Sequence, residues 1–238
     1  SASRTLQIAQ SLYERHKVIT YPRTDSKALP QDYGQTCKDL LTLIPDNLST
    51  FANKILENKW VDESNRKIFN DKQVSDHFAI IPTGKMPTAK LDEAALKLYL
   101  LVLRRFLSIF YPHAEYELTR RITRVGEDTF LTTGKVLVVP GYLEVYGRKA
   151  GVAADKDELV GANDGDRAIV KAVETKEDQT KPPARFNDST LLSAMETAGK
   201  RVEDEELKEA MSERGLGTPA TRASIIENLI RQKYLFRD

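Results

Sequence analysis

Between residues 91 and 112 the hydrophobic pattern has a helical period, and directly afterwards it has a strand period. Ala95, Leu98, Val102, Phe106 and Ile109 recur every three or four residues, and Leu101, Leu103 and Leu107 widen the stripe. That spacing predicts one long helix over 91–110, about five turns at 3.6 residues each. Tyr111-Pro112 ends it, because the residue before a proline is pushed out of the helical region. Beyond it, 115–124, 129–139, 143–146 and 167–175 alternate apolar and polar side chains. Gly126, Gly134, Pro140-Gly141 and Asn163-Asp164-Gly165 punctuate them. The pattern predicts a small antiparallel β unit, with Asn-Asp-Gly as a hairpin turn. Residues 176–183 form a polar linker closed by two prolines, and helical spacing then resumes. A chain that changes period twice is predicted to be α+β and multidomain: a mostly helical part at 1–110, a β-rich part at 111–180 and a helical part at 181–238.

The first part holds further helices. Leu6, Ala9, Leu12, Tyr13 and His16 predict one over 5–16, with Ser3 as cap and His16 at the end that favours a cation. Pro30 opens a second, through Leu40, Leu41 and Leu43, which stops at Pro45 and buries Cys37. A third is predicted around 51–58, followed by a charged loop over 60–71. In the last part, Asp188 or Ser189 caps a helix through Leu191, Leu192, Met195 and Ala198. Residues 203–212 read as an acidic helix with an outer face.

Lys+Arg is 36 against Asp+Glu 35, a net charge of +1. Whole-chain charge therefore gives no nucleic-acid signal, and any such groove is a local arrangement. The single Cys37 rules out an intramolecular disulfide and a cysteine-based zinc site. One cysteine and no signal peptide fit a reducing cytoplasm. No apolar run approaches the roughly 20 residues needed to span a bilayer. The chain starts within a helical pattern and without an initiating Met, as an excised piece of something longer does.

Chemistry concentrates in three stretches. The first is Val18-Ile19-Thr20-Tyr21-Pro22-Arg23-Thr24-Asp25-Ser26. Residues 18–21 favour strand, and Pro22 ends pairing because it has no N–H. Side chains two apart on an extended segment face one way, so Tyr21 and Arg23 can meet one ligand. A phenol is a poor nucleophile at neutral pH, and an adjacent guanidinium both lowers its pKa and clamps a phosphate. The pair suits attack on a phosphodiester, and equally it is an ordinary packing ring beside a surface charge. The second stretch, Asp76-His77-Phe78-Ala79-Ile80-Ile81-Pro82-Thr83, offers His77 as a hydrogen-bonding or cationic support, or as a structural histidine. In the third, Gly215-Leu216-Gly217-Thr218-Pro219-Ala220-Thr221-Arg222 leads into a helix over 223–234. Thr218 as N-cap and Pro219 at the first helical position are predicted to start it. The spacing is neither a Walker A motif nor a dinucleotide fingerprint.

Leu12-Tyr13-Glu14 followed by Ile19-Thr20-Tyr21-Pro22-Arg23-Thr24-Asp25-Ser26 resembles the active-site motif of type IA DNA topoisomerases, particularly the topoisomerase III branch. The stretch around His77 resembles that family's His-x-Ala-Ile-x-Pro-Thr motif. Pro182-Pro183-Ala184-Arg185-Phe186 and residues 215–226 resemble its strand-binding segment. Many relatives carry Arg-Pro-Ser-Thr-Tyr where this chain has Thr218-Pro219-Ala220-Thr221-Arg222, so the basic residue is displaced.

The resemblance implies a helical tyrosine domain, an antiparallel β arch and a helical portion of the strand-binding domain. It implies Tyr21 as the nucleophile that forms a 5′ phosphotyrosine, Arg23 on the scissile phosphate and His77 in support. Thr24, Asp25, Ser26, Thr83, Arg185, Gly217, Thr218, Thr221 and Arg222 would contact single-stranded DNA. It also implies Mg²⁺ held by a Toprim domain of the same polypeptide that this chain lacks, with no metal in this chain. Neither a membrane nor an oligomer is required, and the place is the cytoplasm, at the nucleoid. Asp155-Lys156-Asp157 lies in a charged, turn-like stretch and not after a hydrophobic strand. Two other readings stay open at this point: a tyrosine recombinase or type IB-like strand transferase, and a non-catalytic single-strand-binding module in which Tyr21 stacks on a base.

Overall fold

A computed structural model describes residues 1–87, 89–149, 162–175, 177–201 and 215–237. The acidic stretch 203–212, Glu213-Arg214 and Asp155-Lys156-Asp157 lie outside the described residues. The chain forms two compact units, one made of Ser1–Tyr111 with Phe186–Asp238 and the other of Pro112–Arg185.

In the first unit, α1 (Ala2–Glu14), α2 (Gly34–Thr42), α3 (Asp46–Glu57) and α4 (Glu93–Ser108) are joined by α5 (Asp188–Glu196) and α6 (Arg222–Arg231). α4 packs on α1 and α3, and α6 packs on α1 and α5. The core is apolar, with Leu12, Leu41, Ile55, Phe69, Leu103, Phe106 and Leu107 almost wholly buried. On α4 the inward face differs from the predicted stripe in three places: Tyr99 and Ser108 are buried and Leu101 is 57% exposed. Asp92 caps α4 by accepting from Ala95 N at 2.7 Å.

Three caps differ from the sequence expectation. Ser1, not Ser3, caps α1. Asn187, not Asp188 or Ser189, caps α5, in a reciprocal capping box with Thr190. α6 starts after Thr221, because residues 218–221 close a separate turn through Thr221 N to Thr218 O at 2.9 Å. Ser, Thr, Asn and Asp crowd each helix start, and only the local backbone path selects among them.

Three helices are followed by a lysine in the left-handed region: Lys17 at φ 59°, Lys59 at 55° and Lys233 at 65°. After α3, Trp60 N reaches back to Ile55 O and Lys59 N to Leu56 O, the two bonds of a Schellman turn. The conformation costs a residue with a Cβ about 1–2 kcal/mol. Lys59→Gly is therefore expected to raise stability by about 0.5–1 kcal/mol, since glycine's entropy loss cancels part of the relief. Urea denaturation of the two proteins checks it.

Burial, with Glu63 adding to it, pushes the Cys37 thiol up to about 12. The thiolate is the nucleophile, so Cys37 is expected to resist iodoacetamide at pH 8 in the native protein and to react once urea unfolds it. Fast native alkylation, followed by mass spectrometry, would contradict this.

The second unit contains one antiparallel hairpin, β1 (Glu115–Val125) and β2 (Asp128–Val139). Val125 pairs with Asp128 across a two-residue turn whose first residue, Gly126, has φ 63°. A glycine at that position matches turn twist to strand twist. The other strand expectations are corrected. Residues 143–146 belong to a 3₁₀ segment, Gly141–Tyr146, closed by Leu143 N to Pro140 O at 3.0 Å. Pro140 cannot continue the ladder past Val139. Residues 167–175 pair with no strand among the described residues, and Ile169 and Val173 are 90% and 78% exposed. Asn163-Asp164-Gly165 is a turn, with Asp166 N bonded to Asn163 O at 3.1 Å, and among the described residues it joins no hairpin. Among the described residues no helix is long and apolar enough to cross a membrane.

Candidate functional site

Two distant stretches are laced together to make the site. Thr20 N donates to Ile81 O at 2.9 Å, and Thr83 N to Val18 O at 3.0 Å. The Thr20 hydroxyl donates to Ala79 O at 3.0 Å and accepts from Ile81 N at 2.9 Å. Thr83 Oγ1 donates to Lys17 O at 2.6 Å. The expected strand over 18–21 shrinks to the single bridge Ile19↔Pro82. Its partner is a proline and Pro22 follows closely, so backbone donors for a longer ladder are missing.

This lacing puts the ring of Tyr21 against His77, with centroids 4.2 Å apart and planes tilted by 38°. Tyr13 of α1 meets Tyr21 edge-on at 5.3 Å and 81°. The phenol oxygen of Tyr21 makes no hydrogen bond among the described residues. Arg23 is half-buried, and its Nε is buried with no partner among the described residues. An unpaired buried donor costs about 1–3 kcal/mol, so the arrangement favours an incoming acceptor. Tyr13 is a site neighbour that helical spacing marks only as a position on α1. Its signal was the Leu12-Tyr13-Glu14 triplet just ahead of the tyrosine motif.

The residues after Arg23 act first as struts. Thr24 Oγ1 donates to His77 O at 3.1 Å and accepts from Ser26 N at 3.0 Å. Ser26 Oγ donates to Gln73 O at 2.8 Å. Asp25 Oδ1 accepts from Arg222 Nη1 at 2.7 Å. Phe106, Ile80, Thr24 and Ser26 line a cavity of about 470 Å³, with Lys27, Lys67 and Arg105 at its walls.

The glycine-rich stretch approaches from α6. Gly217 has φ 71°, and a Cβ there would come within 2.9 Å of Ile225 Cδ1 and 3.1 Å of Thr221 Oγ1. Thr218 N donates to Thr221 Oγ1 at 2.8 Å, and both threonines are exposed. Arg222 is buried. Arg185 is exposed and belongs to the other unit.

Mg²⁺ takes oxygen ligands, carboxylates foremost. Among the described residues no three His, Cys, Asp or Glu side chains cluster as metal ligands, and Asp25 is engaged by Arg222. These residues do not fit a Mg²⁺ site.

The family model described as DNA topoisomerase matches residues 1–238. DNA topoisomerase 3 of Bacillus subtilis is 40% identical over 238 residues, and DNA topoisomerase 3 of Bacillus cereus 41% identical over 239. Each alignment covers 96% of this chain and 32% of the relative, so the chain spans about a third of their length. Among solved structures, full-length topoisomerase I from Thermotoga maritima superposes with a TM-score of 0.59 at 26% identity, over 99% of this chain and 35% of that one.

Proposed function

Because the chain belongs to the DNA topoisomerase family, we propose that it is the tyrosine-bearing segment of a type IA enzyme of the topoisomerase III kind. The observation that carries this is the ring contact of Tyr21 with His77, with an unpartnered buried guanidinium nitrogen on Arg23, two residues after the tyrosine. Tyr21 oxygen attacks the phosphorus of a single-stranded DNA backbone. The P–O3′ bond breaks, a 3′-hydroxyl leaves, and the 5′ side stays on Tyr21 as a phosphotyrosine. The reverse attack by that hydroxyl rejoins the strand, after passage of another strand. Arg23 holds the phosphate and offsets its developing charge, and His77 supports the same oxygens. The whole-chain family match favours this over a type IB-like transferase or a binding module.

Residues 1–110 carry the tyrosine, 111–180 form the arch, and 181–238 contribute to single-strand binding. Gly217 lets the backbone approach the strand, and Thr218, Thr221 and Arg185 contact phosphates. Thr24, Ser26 and Thr83 hold the backbone that lines the path. The acidic ligands for Mg²⁺ belong to a Toprim domain elsewhere in a longer polypeptide, so this chain alone does not relax supercoils. The assembly works at the nucleoid without an oligomer.

The test is binding of the chain to labelled single-stranded and duplex oligonucleotides across a salt series. Preference for the single strand, with affinity falling as salt rises, is the expected result. Equal binding to both forms, or none at low salt, would contradict strand binding by this segment.

A further inference from the structure

We propose that Asp25 and Arg222 form a latch that fixes the Tyr21–Arg23 segment, and that Arg222 is a positioning residue, not a phosphate ligand. This role rests on the reading of Tyr21 as the reacting residue and names what holds it.

Arg222 sits on the first turn of α6 with its side chain 7% exposed. Its Nη1 donates to Asp25 Oδ1 at 2.7 Å and its Nε to Leu216 O at 3.2 Å. One guanidinium therefore ties α6, the glycine-rich turn and the loop after the tyrosine. A planar fork can serve two such directions at once, whereas a lysine ammonium offers one point charge. A phosphate ligand must present its donors to the strand, and this side chain is turned inward to protein acceptors.

The loop is held from both sides. Thr24 and Ser26 bond to the backbone of His77 and Gln73. Asp25, between them, reaches α6 instead. Arg23 directly precedes this clamped stretch and keeps its Nε unpartnered. Fixing residues 24–26 lowers the freedom Arg23 must lose to meet a phosphate. The Asp25 side chain is 50% exposed, so Asn at 25 removes the latch's ion pair, leaving at most a weaker neutral hydrogen bond, without opening the core.

The experiment uses the 238-residue chain as wild type, Asp25→Asn, Arg222→Gln and the double variant. His77 ring signals are followed by NMR, assigned with His77→Gln, because the Tyr21 ring at 4.2 Å shifts them. Far-UV circular dichroism reports the fold. Each single variant is expected to move the His77 signals toward those of an unstacked imidazole, and the double variant to move them no further than the larger single. If Arg222→Gln does not fold, Asp25→Asn decides alone. In parallel, the slope of log affinity for single-stranded DNA against log salt is expected to be the same in wild type and Arg222→Gln. Unmoved His77 signals would overturn the latch. So would a slope reduced by about 0.7, the loss of one phosphate contact on a single strand. A wild-type chain that binds no single strand counts against the strand-binding reading, and the NMR comparison still decides the latch.

Discussion

Tyr21→Phe is expected to abolish covalent attachment to DNA, by at least about 10³-fold, when the segment is carried in the longer polypeptide proposed above, as removal of a nucleophile does. The fold should not register the change. The phenol oxygen bonds to no described residue, and the ring keeps its contacts with Tyr13 and His77. The unfolding free energy is expected to stay within about 0.5 kcal/mol of wild type. Adduct yield on a single-stranded oligonucleotide and urea denaturation measure the two effects. Full cleavage by the Phe variant would remove Tyr21 from the chemistry.

Phe106→Ala is expected to cost about 3–5 kcal/mol. Phe106 is 2% exposed and meets Phe110 edge-on at 5.3 Å. Such ring pairs add about 0.5–1.5 kcal/mol beyond area burial. Against a total of about 5–15 kcal/mol, that loss leaves little margin. The ring also floors the cavity shared with Thr24, Ser26 and Ile80, so the damage reaches the segment that carries His77. Equilibrium unfolding in urea measures it, and a loss under about 1 kcal/mol would mean the neighbours collapse into the space.

The helices and the main hairpin could be read from the sequence because their causes are local. The stripe on α4 and the Gly126 turn each involve a few consecutive residues. Residues 143–146 and 167–175 misled for one reason. Alternation records which side chains face which way and says nothing about whether a partner strand exists. The site divides similarly. Tyr21 and Arg23 are proposed from one motif and His77 from a second, both resembling one family, and the structure brings Tyr21 and His77 into ring contact. Tyr13 on Tyr21 and Arg222 on Asp25 were not seen, since both depend on how α1 and α6 pack. The sequence marks Arg222 as a cation, and only packing shows that it faces inward.

The most direct measurement is to trap the covalent adduct of the longer polypeptide with an oligonucleotide labelled at one end or the other, then digest with trypsin. Retention of the 3′-end label on peptide 18–23, which carries Tyr21, is the result a 5′ phosphotyrosine requires. Retention of the 5′-end label would mean a 3′ linkage and a different class of strand transferase. An adduct on any other peptide, or none with an intact metal-binding half present, would contradict Tyr21 as the residue that opens the strand.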